Sequence, residues 1–483
     1  MKAKEFLQNV LKYCIPSVVS AVLSIAVIPV VSRVFPPEDF GKINLFYSVG
    51  NMLLYVFLLG LDSAYIRFYF EGFRGIRKEQ IFSMSFWGSL AINICVTVTA
   101  LLFFSDRVSR YLFGEYRPYL LLVLSVYVFS LTLFRLLSIE ARMDGKSLLF
   151  NVQQVLLIVT NRVTYVVAIL FSTNYRVSIL LITGSTALLG IWFLIRQKRF
   201  SDFSLGSVDK ASVGRILNFA VPLMPTTVVV WLNNSAAKFV LSGYGNFNLL
   251  GILTIATSLA NVFSLVPSAF TTYWSPFMYR NYKKEQAFIR DVHNYILLLS
   301  VGIVLCFFCM QDLVYIIVGE KYRASQSFFM LIMLVPVQSL LCETTSYGII
   351  LANKTRINLY VSVAAVAANI GLGYLLYPSL HVYGIVIGIV SAAAIQLVFK
   401  TVIGQHFYQS IRNKWTTAAS VLLIVGISLS NVWLYDRFFI RMAVTFAVLA
   451  LSGVLFRAEY AAAWKLLKGR CLSLTRRGRA PSA

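Results

Sequence analysis

Apolar runs long enough to cross a bilayer recur along this chain from one end to the other, and they constrain the fold before any motif is read. Each holds roughly 20 residues, the length a helix needs to cover about 30 Å of hydrocarbon. Lipid offers no hydrogen bonds to a bare backbone, so the spanning segments must be helices that close their main-chain bonds internally. The length rule places about fourteen, at 12–35, 43–66, 81–104, 118–138, 148–171, 177–195, 216–241, 249–276, 292–316, 327–351, 357–377, 383–403, 415–434 and 439–456. Composition agrees: of 483 residues 58% are hydrophobic and 13% charged, with mean hydropathy +0.76, beyond the range of a water-soluble globule. The expected fold class is an all-α membrane protein. The opening "MKAKEFLQNVLKYCIPSVVS" runs into the first span without a small-residue cleavage site, so no cleaved signal peptide is expected.

Lys and Arg outnumber Asp and Glu 43 to 19, and their placement carries the information. The N-terminus and every second connection hold about 31 of the basic residues, and the other connections about ten. That asymmetry predicts both termini in the cytoplasm. The net charge of +24 then reads as topology and as attraction to anionic membrane lipids, with no nucleic-acid footprint. The tail "RRGR" at 476–479 fits the same reading.

The chain contains a repeat. "GKINLFYSVGN" from Gly41 aligns with "GILTIATSLAN" from Gly251, so that Gly41, Asn44, Ser48 and Asn51 correspond to Gly251, Thr254, Ser258 and Asn261 at one constant offset. Pro16 corresponds to Pro222, and "GKS" at 145–147 to "NKT" at 353–355. An even number of spans per repeat gives both copies the same orientation, related by an axis along the membrane normal. The expected organisation is two parallel-repeat six-helix bundles, 1–200 and 201–410, then two additional helices at 411–456 and a basic cytoplasmic tail at 457–483.

Polar stripes mark the inward faces. A turn of 3.6 residues puts Asn151, Gln154, Asn161, Arg162 and Tyr165 within an arc of roughly 100°. Asn44, Ser48, Asn51, Tyr55 and Asp62 line the second span; Thr254, Ser258, Asn261, Ser268 and Thr272 line its repeat partner; Thr227, Trp231, Asn234 and Lys238 line the seventh. Hydroxyls and amides alone would serve as interhelical glue. The cations are different, because Arg or Lys near the bilayer centre costs about 2.5 to 3.5 kcal/mol and therefore faces a partner charge or a water-filled cavity. Asp62, Glu140 and Glu343 are the carboxylates that could neutralise Arg162 or Lys238; the other reading is a cationic cavity built to accept an anion. Arg135 and Arg67, nearer the cytoplasmic ends, extend the positive field or snorkel to the interface. Pro16, Pro29, Pro222 and Pro225 remove helix hydrogen bonds where bending would be economical.

Other chemistries find no support in the sequence. Cys306 and Cys309 sit inside the apolar run "VLCFFCM", and His293, His381 and His406 show no ligand spacing, so no metal site is expected. The "GKS" lacks the upstream Gly of a phosphate-binding loop, that position being Glu140, and no cofactor is expected. The adjacent acids Glu38 and Asp39 lie in a Pro-containing turn and read as a helix cap, leaving no catalytic residues.

"IPSVVSAVLSIAVIPVVSRVFPPEDFGKINLFYS", followed by "LLGLDSAYIRFYFE", resembles the opening of the polysaccharide biosynthesis and O-antigen flippase family of the multidrug, oligosaccharidyl-lipid and polysaccharide (MOP) exporter superfamily. "SRVFPPEDFG" is similar to that family's first loop, and Gly60 through Arg67 and Phe68 to the close of its second helix. "VPLMPTTVVVWLNNSAAKFVLSGYG" and "SAFTTYWSPFMYR" look like the opening of its second half. Many relatives carry an acid beside the span-seven cation, where this chain has Ala236 and Ala237, which takes an ion-coupling role away from Lys238.

The resemblance implies translocation of a polyprenyl-pyrophosphate-linked oligosaccharide across a bacterial inner membrane, alongside a polysaccharide polymerase and chain-length regulator. Under that reading Arg162, Lys238, Arg135 and Arg67 meet the pyrophosphate. Asn51, Tyr55, Asn161, Tyr165, Trp231, Asn234 and Asn261 meet the glycan, and Asp62, Glu343 and Glu140 are candidates for proton or sodium coupling. A drug exporter of the same superfamily would favour an acidic cavity; a membrane glycan polymerase or glycosyltransferase would favour a large outward loop or paired carboxylates.

Overall fold

A computed structural model describes residues 19–70, 78–197, 210–457 and 459. The first repeat contributes α1 (Val19–Val34), α2 (Pro37–Leu58), α3 (Leu61–Arg67), α4 (Lys78–Phe103), α5 (Ser105–Phe113), α6 (Tyr119–Met143), α7 (Ser147–Phe171) and α8 (Tyr175–Gln197). There follow α9 (Lys210–Ala220), α10 (Met224–Gly243), α11 (Phe247–Val262), α12 (Leu265–Asn281), α13 (Gln286–Ile316), α14 (Gln326–Thr345), α15 (Tyr347–Leu351), α16 (Arg356–Leu380) and α17 (Val382–Phe407), and finally α18 (Lys414–Leu434) and α19 (Phe438–Leu455). Among the described residues 12 helical segments are long and apolar enough to cross a membrane, and a bent pair, α2 with α3, makes 13. With the shorter apolar α1 these account for the fourteen expected spans, and the protein is an all-α, multi-pass membrane protein. Pro16 and the "RRGR" tail lie outside the described residues.

Backbone exceptions explain the breaks. α2 and α3 meet at 60° because Leu59 and Gly60 both take left-handed conformations, φ 48° and 75°. A side chain at Gly60 would also collide with the Ala220 carbonyl, so this position combines a turn with a close approach. Pro222 lies in a single 3₁₀ turn, Val221–Leu223, between α9 and α10, where a proline interrupts the helical ladder as expected.

The chain forms two compact units. One comprises the described residues of Met1–Leu265 with Tyr315–Ser325 and Ser362–Ala392. In it α6 packs against α2, α4, α7 and α8, burying Leu120, Tyr127, Val128, Leu136 and Leu137. The other comprises Val266–Val314, Gln326–Val361 and the described residues of Ala393–Ala483. There polar side chains join the helices: Gln311 on α13 donates to Asn431 on α18 at 2.6 Å, Asn431 donates to the Gln326 carbonyl at 3.0 Å, and His293 lies between the hydroxyls of Thr344 (2.8 Å) and Thr417 (3.1 Å).

Candidate functional site

The site is built on one face of α2, where Tyr47, Ser48, Asn51 and Tyr55 follow one another at helical spacing. Asn51 donates to the Tyr47 carbonyl at 2.8 Å and Ser48 to the Asn44 carbonyl at 2.8 Å, so each amide or hydroxyl keeps acceptor capacity toward its neighbours. Lys238, on α10, uses that capacity and donates to the Ser48 hydroxyl at 2.7 Å. From α7, the Arg162 charge acts on Lys238, Tyr47 and Tyr165, which places the two cations in one electrostatic environment. The Tyr47 hydroxyl faces the side chains of Asn51 and Asn161, and Thr186 on α8 donates to Asn161 at 3.4 Å.

Neither Arg162 nor Lys238 forms an ion pair with a carboxylate among the described residues. Two like charges brought together in a membrane-embedded, half-buried setting repel each other, and an anion between them would relieve both. The arrangement therefore favours a bound anion.

Beyond Asn51 on the same face a second group begins. Tyr55 stacks on Trp231 of α10 with ring centroids 5.7 Å apart, and Arg135 of α6 lies 5.9 Å from the Tyr55 ring. Arg135 also pairs with Asp62 of α3 at 3.1 Å, which alters two expected roles. An Arg135 already neutralised is a weaker pyrophosphate ligand, and an Asp62 held as its counter-ion is a weaker coupling carboxylate. Two aromatic rings and a guanidinium in contact make a surface on which a sugar face can stack.

The remaining expected residues are dispersed. Tyr165 is buried edge-on against Phe35 (6.4 Å) and tilted against Phe40 (6.0 Å), a packing position that withdraws it from the glycan contacts expected of it. Asn234 and Asn261 are exposed. Arg67 is exposed at the end of α3, 5.8 Å from the Phe68 ring, and Glu140 is buried in α6. Glu343 belongs to the second unit, near Thr271 and in the electrostatic field of Lys400 of α17.

One member of the site, Tyr47, and one ion pair of the second unit, Asp312 with Arg441, escaped the sequence reading. Tyr47 stands one turn before Asn51 and was inside the right span. Asp312 and Arg441 pair with each other, and Arg441, 1% exposed, also donates to the Phe308 carbonyl at 3.1 Å. Arg441 lies within the first turn of α19, inside the span expected at 439–456, where no polar stripe marked it.

Residues 30–327, more than half of the chain, match the model of a family described as polysaccharide biosynthesis protein. The chain belongs to that family. Its fold is similar to that of a lipid II flippase, MurJ, in an inward closed conformation, with a TM-score of 0.65 at 14% identity over 92% of this chain and 99% of that one. It is similar too to a multidrug resistance MATE family transporter of the MOP superfamily in an inward-facing conformation, with a TM-score of 0.55 at 16% identity over 83% of this chain and 98% of that one. This member of the polysaccharide biosynthesis family thus has the MOP fold. No curated protein matches it in sequence.

Proposed function

We propose that the protein is a flippase that moves a polyprenyl-pyrophosphate-linked oligosaccharide across the bacterial inner membrane for O-antigen, capsule or exopolysaccharide assembly. The observation that carries this reading is the pair of intramembrane cations, Arg162 and Lys238, grouped without a carboxylate partner among the described residues. A pyrophosphate supplies the missing negative charge. Tyr55 with Trp231 offers stacking faces, and Asn51 and Asn161 offer amide partners to a glycan. Two six-helix bundles, 1–200 and 201–410, alternate access to this site while the polyprenyl tail stays in lipid, with both termini cytoplasmic. The helices at 411–456 and the tail at 457–483 stand outside that cycle. Glu343, which lacks an ion-pair partner among the described residues, is the first choice for coupling to a proton gradient, ahead of Asp62, Glu140 and a sodium route. A polymerase and chain-length regulator would take the product on the far side.

The test is transfer of a fluorescent polyprenyl-pyrophosphate oligosaccharide between leaflets of proteoliposomes, comparing the native protein with Arg162→Ala and Lys238→Ala. Transfer by the native protein and loss of it in both folded variants supports the reading. Equal transfer by all three shows that the cations are structural, and no transfer by any shows that the substrate class or driving force is a different one.

A further inference from the structure

The repeat reappears in space at one end of the first unit. α2 and α11 are repeat partners, and they cross backbone to backbone at Gly41 and Gly251. The crossing is reciprocal: a side chain at Gly41 would collide with the Phe247 carbonyl, and one at Gly251 with the Pro37 carbonyl. Phe247 and Pro37 are themselves related by the offset that relates the two glycines. The same offset joins Ser32, near the end of α1, to Ser242, near the end of α10.

Each of these serines is engaged by a segment from the other repeat. The Gly319 amide donates to the Ser32 hydroxyl at 2.8 Å, and the Ser242 hydroxyl donates to the Tyr111 carbonyl. A tyrosine from each segment then reaches a main-chain carbonyl of the opposite repeat, Tyr322 to Phe35 at 3.1 Å and Tyr111 to Phe239 at 2.8 Å. The two segments are alike in sequence, "YLFGEYR" from Tyr111 and "YIIVGEKYR" from Tyr315, and occupy corresponding places, before α6 and before α14. Their glycines permit the close contact: a side chain at Gly319 would strike the Ser32 carbonyl, and one at Gly114, where φ is 74°, would press on the Phe247 ring.

We propose that these two segments are straps that together latch this end of the first unit shut, and that both must release before a ligand can leave through it. Every bond named runs between the repeats, so none survives if the repeats part here. The latch also lies beside the cationic cluster. Ser242 is one turn from Lys238 along α10, and Gly41 is two turns, roughly 10 Å, from Ser48 along α2. Nothing covalent joins strap to serine, and a single hydrogen bond is weak enough to break in each cycle. The charge asymmetry of the connections puts this end outside the cell. The inference rests on the flippase reading for its purpose, but its test needs no lipid-linked substrate.

A cysteine-free version of the full chain carries one reporter, Asn51→Cys, and is labelled with a membrane-impermeant maleimide in right-side-out and in inverted vesicles. The parent should label slowly from the strap side. Ser32→Ala or Ser242→Ala should raise that rate about fivefold, the net value of one hydrogen bond, and the double variant by more than tenfold, with slower labelling from the opposite side. If the serine variants do not fold, Tyr111→Phe with Tyr322→Phe removes two hydroxyls while keeping both rings and should give the same shift. Unchanged strap-side labelling in a folded double variant of either kind overturns the latch. Because no transport is measured, that result is distinct from failure of the flipping assay.

Discussion

Lys238 on α10 hydrogen-bonds Ser48 on α2 at 2.7 Å, and Arg162 supplies the neighbouring charge. Among the described residues no carboxylate competes with a ligand for this lysine, which is held by a neutral hydroxyl. Lys238→Met should therefore abolish or reduce lipid transfer by at least tenfold, whereas Ser48→Ala, which leaves the charge in place, should cost only a few-fold, near the value of one hydrogen bond. Leaflet-transfer rates at matched protein density check this, and equal losses would show that the Ser48 contact, not the charge, is what matters.

The Arg135–Asp62 pair separates a structural role from a ligand role. Asp62→Ala leaves a half-buried guanidinium without its counter-ion and should lower stability by about 2 kcal/mol, less than for a fully buried pair because the Arg135 side chain is 36% exposed. Arg135→Leu with Asp62→Leu should recover most of it. Thermal unfolding in detergent measures the first effect. Lipid transfer by the double variant decides the second, since retained transfer assigns both residues to the scaffold.

Arg441 and Asp312 predict an asymmetry. Arg441 is 1% exposed and the Asp312 side chain 41%, so the two losses are unequal. Asp312→Ala strands a buried cation and should cost about 3 kcal/mol; Arg441→Met strands a carboxylate that already reaches solvent and should cost less. Reversal of that order in detergent unfolding would show that the carboxylate, not the guanidinium, is the desolvated partner.

What the sequence disclosed and what it withheld divide along physical lines. Helical spacing located the stripe of α2 and the cations of α7 and α10, because a membrane helix must turn its polar face away from lipid. Spacing could not say which members of an arc of roughly 100° meet which neighbour. Tyr165 shares the arc with Arg162 yet packs against Phe35 and Phe40. Arg135 meets an Asp62 that is 73 residues away, and Arg441 an Asp312 that is 129 away, distances over which periodicity carries no information. The repeat was legible at Gly41 and Gly251, but that the two copies touch each other was not.

That contact predicts a sharp contrast between glycines. Gly251→Ala puts a methyl against the Pro37 carbonyl and should destabilise by about 1–3 kcal/mol, as overpacking does. Gly302→Ala, in α13, meets nothing within 4 Å and should stabilise by up to about 1 kcal/mol through helix propensity. Similar unfolding temperatures for the two variants would show that the α2–α11 crossing yields without cost.

Acid should weaken one surface network. Glu115 lies in the turn after α5, where burial raises its carboxyl, but hydrogen bonds from Tyr175, Arg176 (2.9 and 3.0 Å) and Arg117 (3.0 Å) outweigh this and hold it down to about 2, against an ordinary 4.5. Because the folded value is the lower one, the unfolded chain takes up the proton first as pH falls. The stabilisation is fully present above 4.5 and is lost progressively down to about 2. Glu115→Gln removes that dependence, so the difference in unfolding temperature between parent and variant should be constant from pH 7 to pH 5 and shrink steadily toward pH 2. A difference that stays constant over the whole range would mean that the carboxylate charge contributes nothing and that only the shape of the side chain matters.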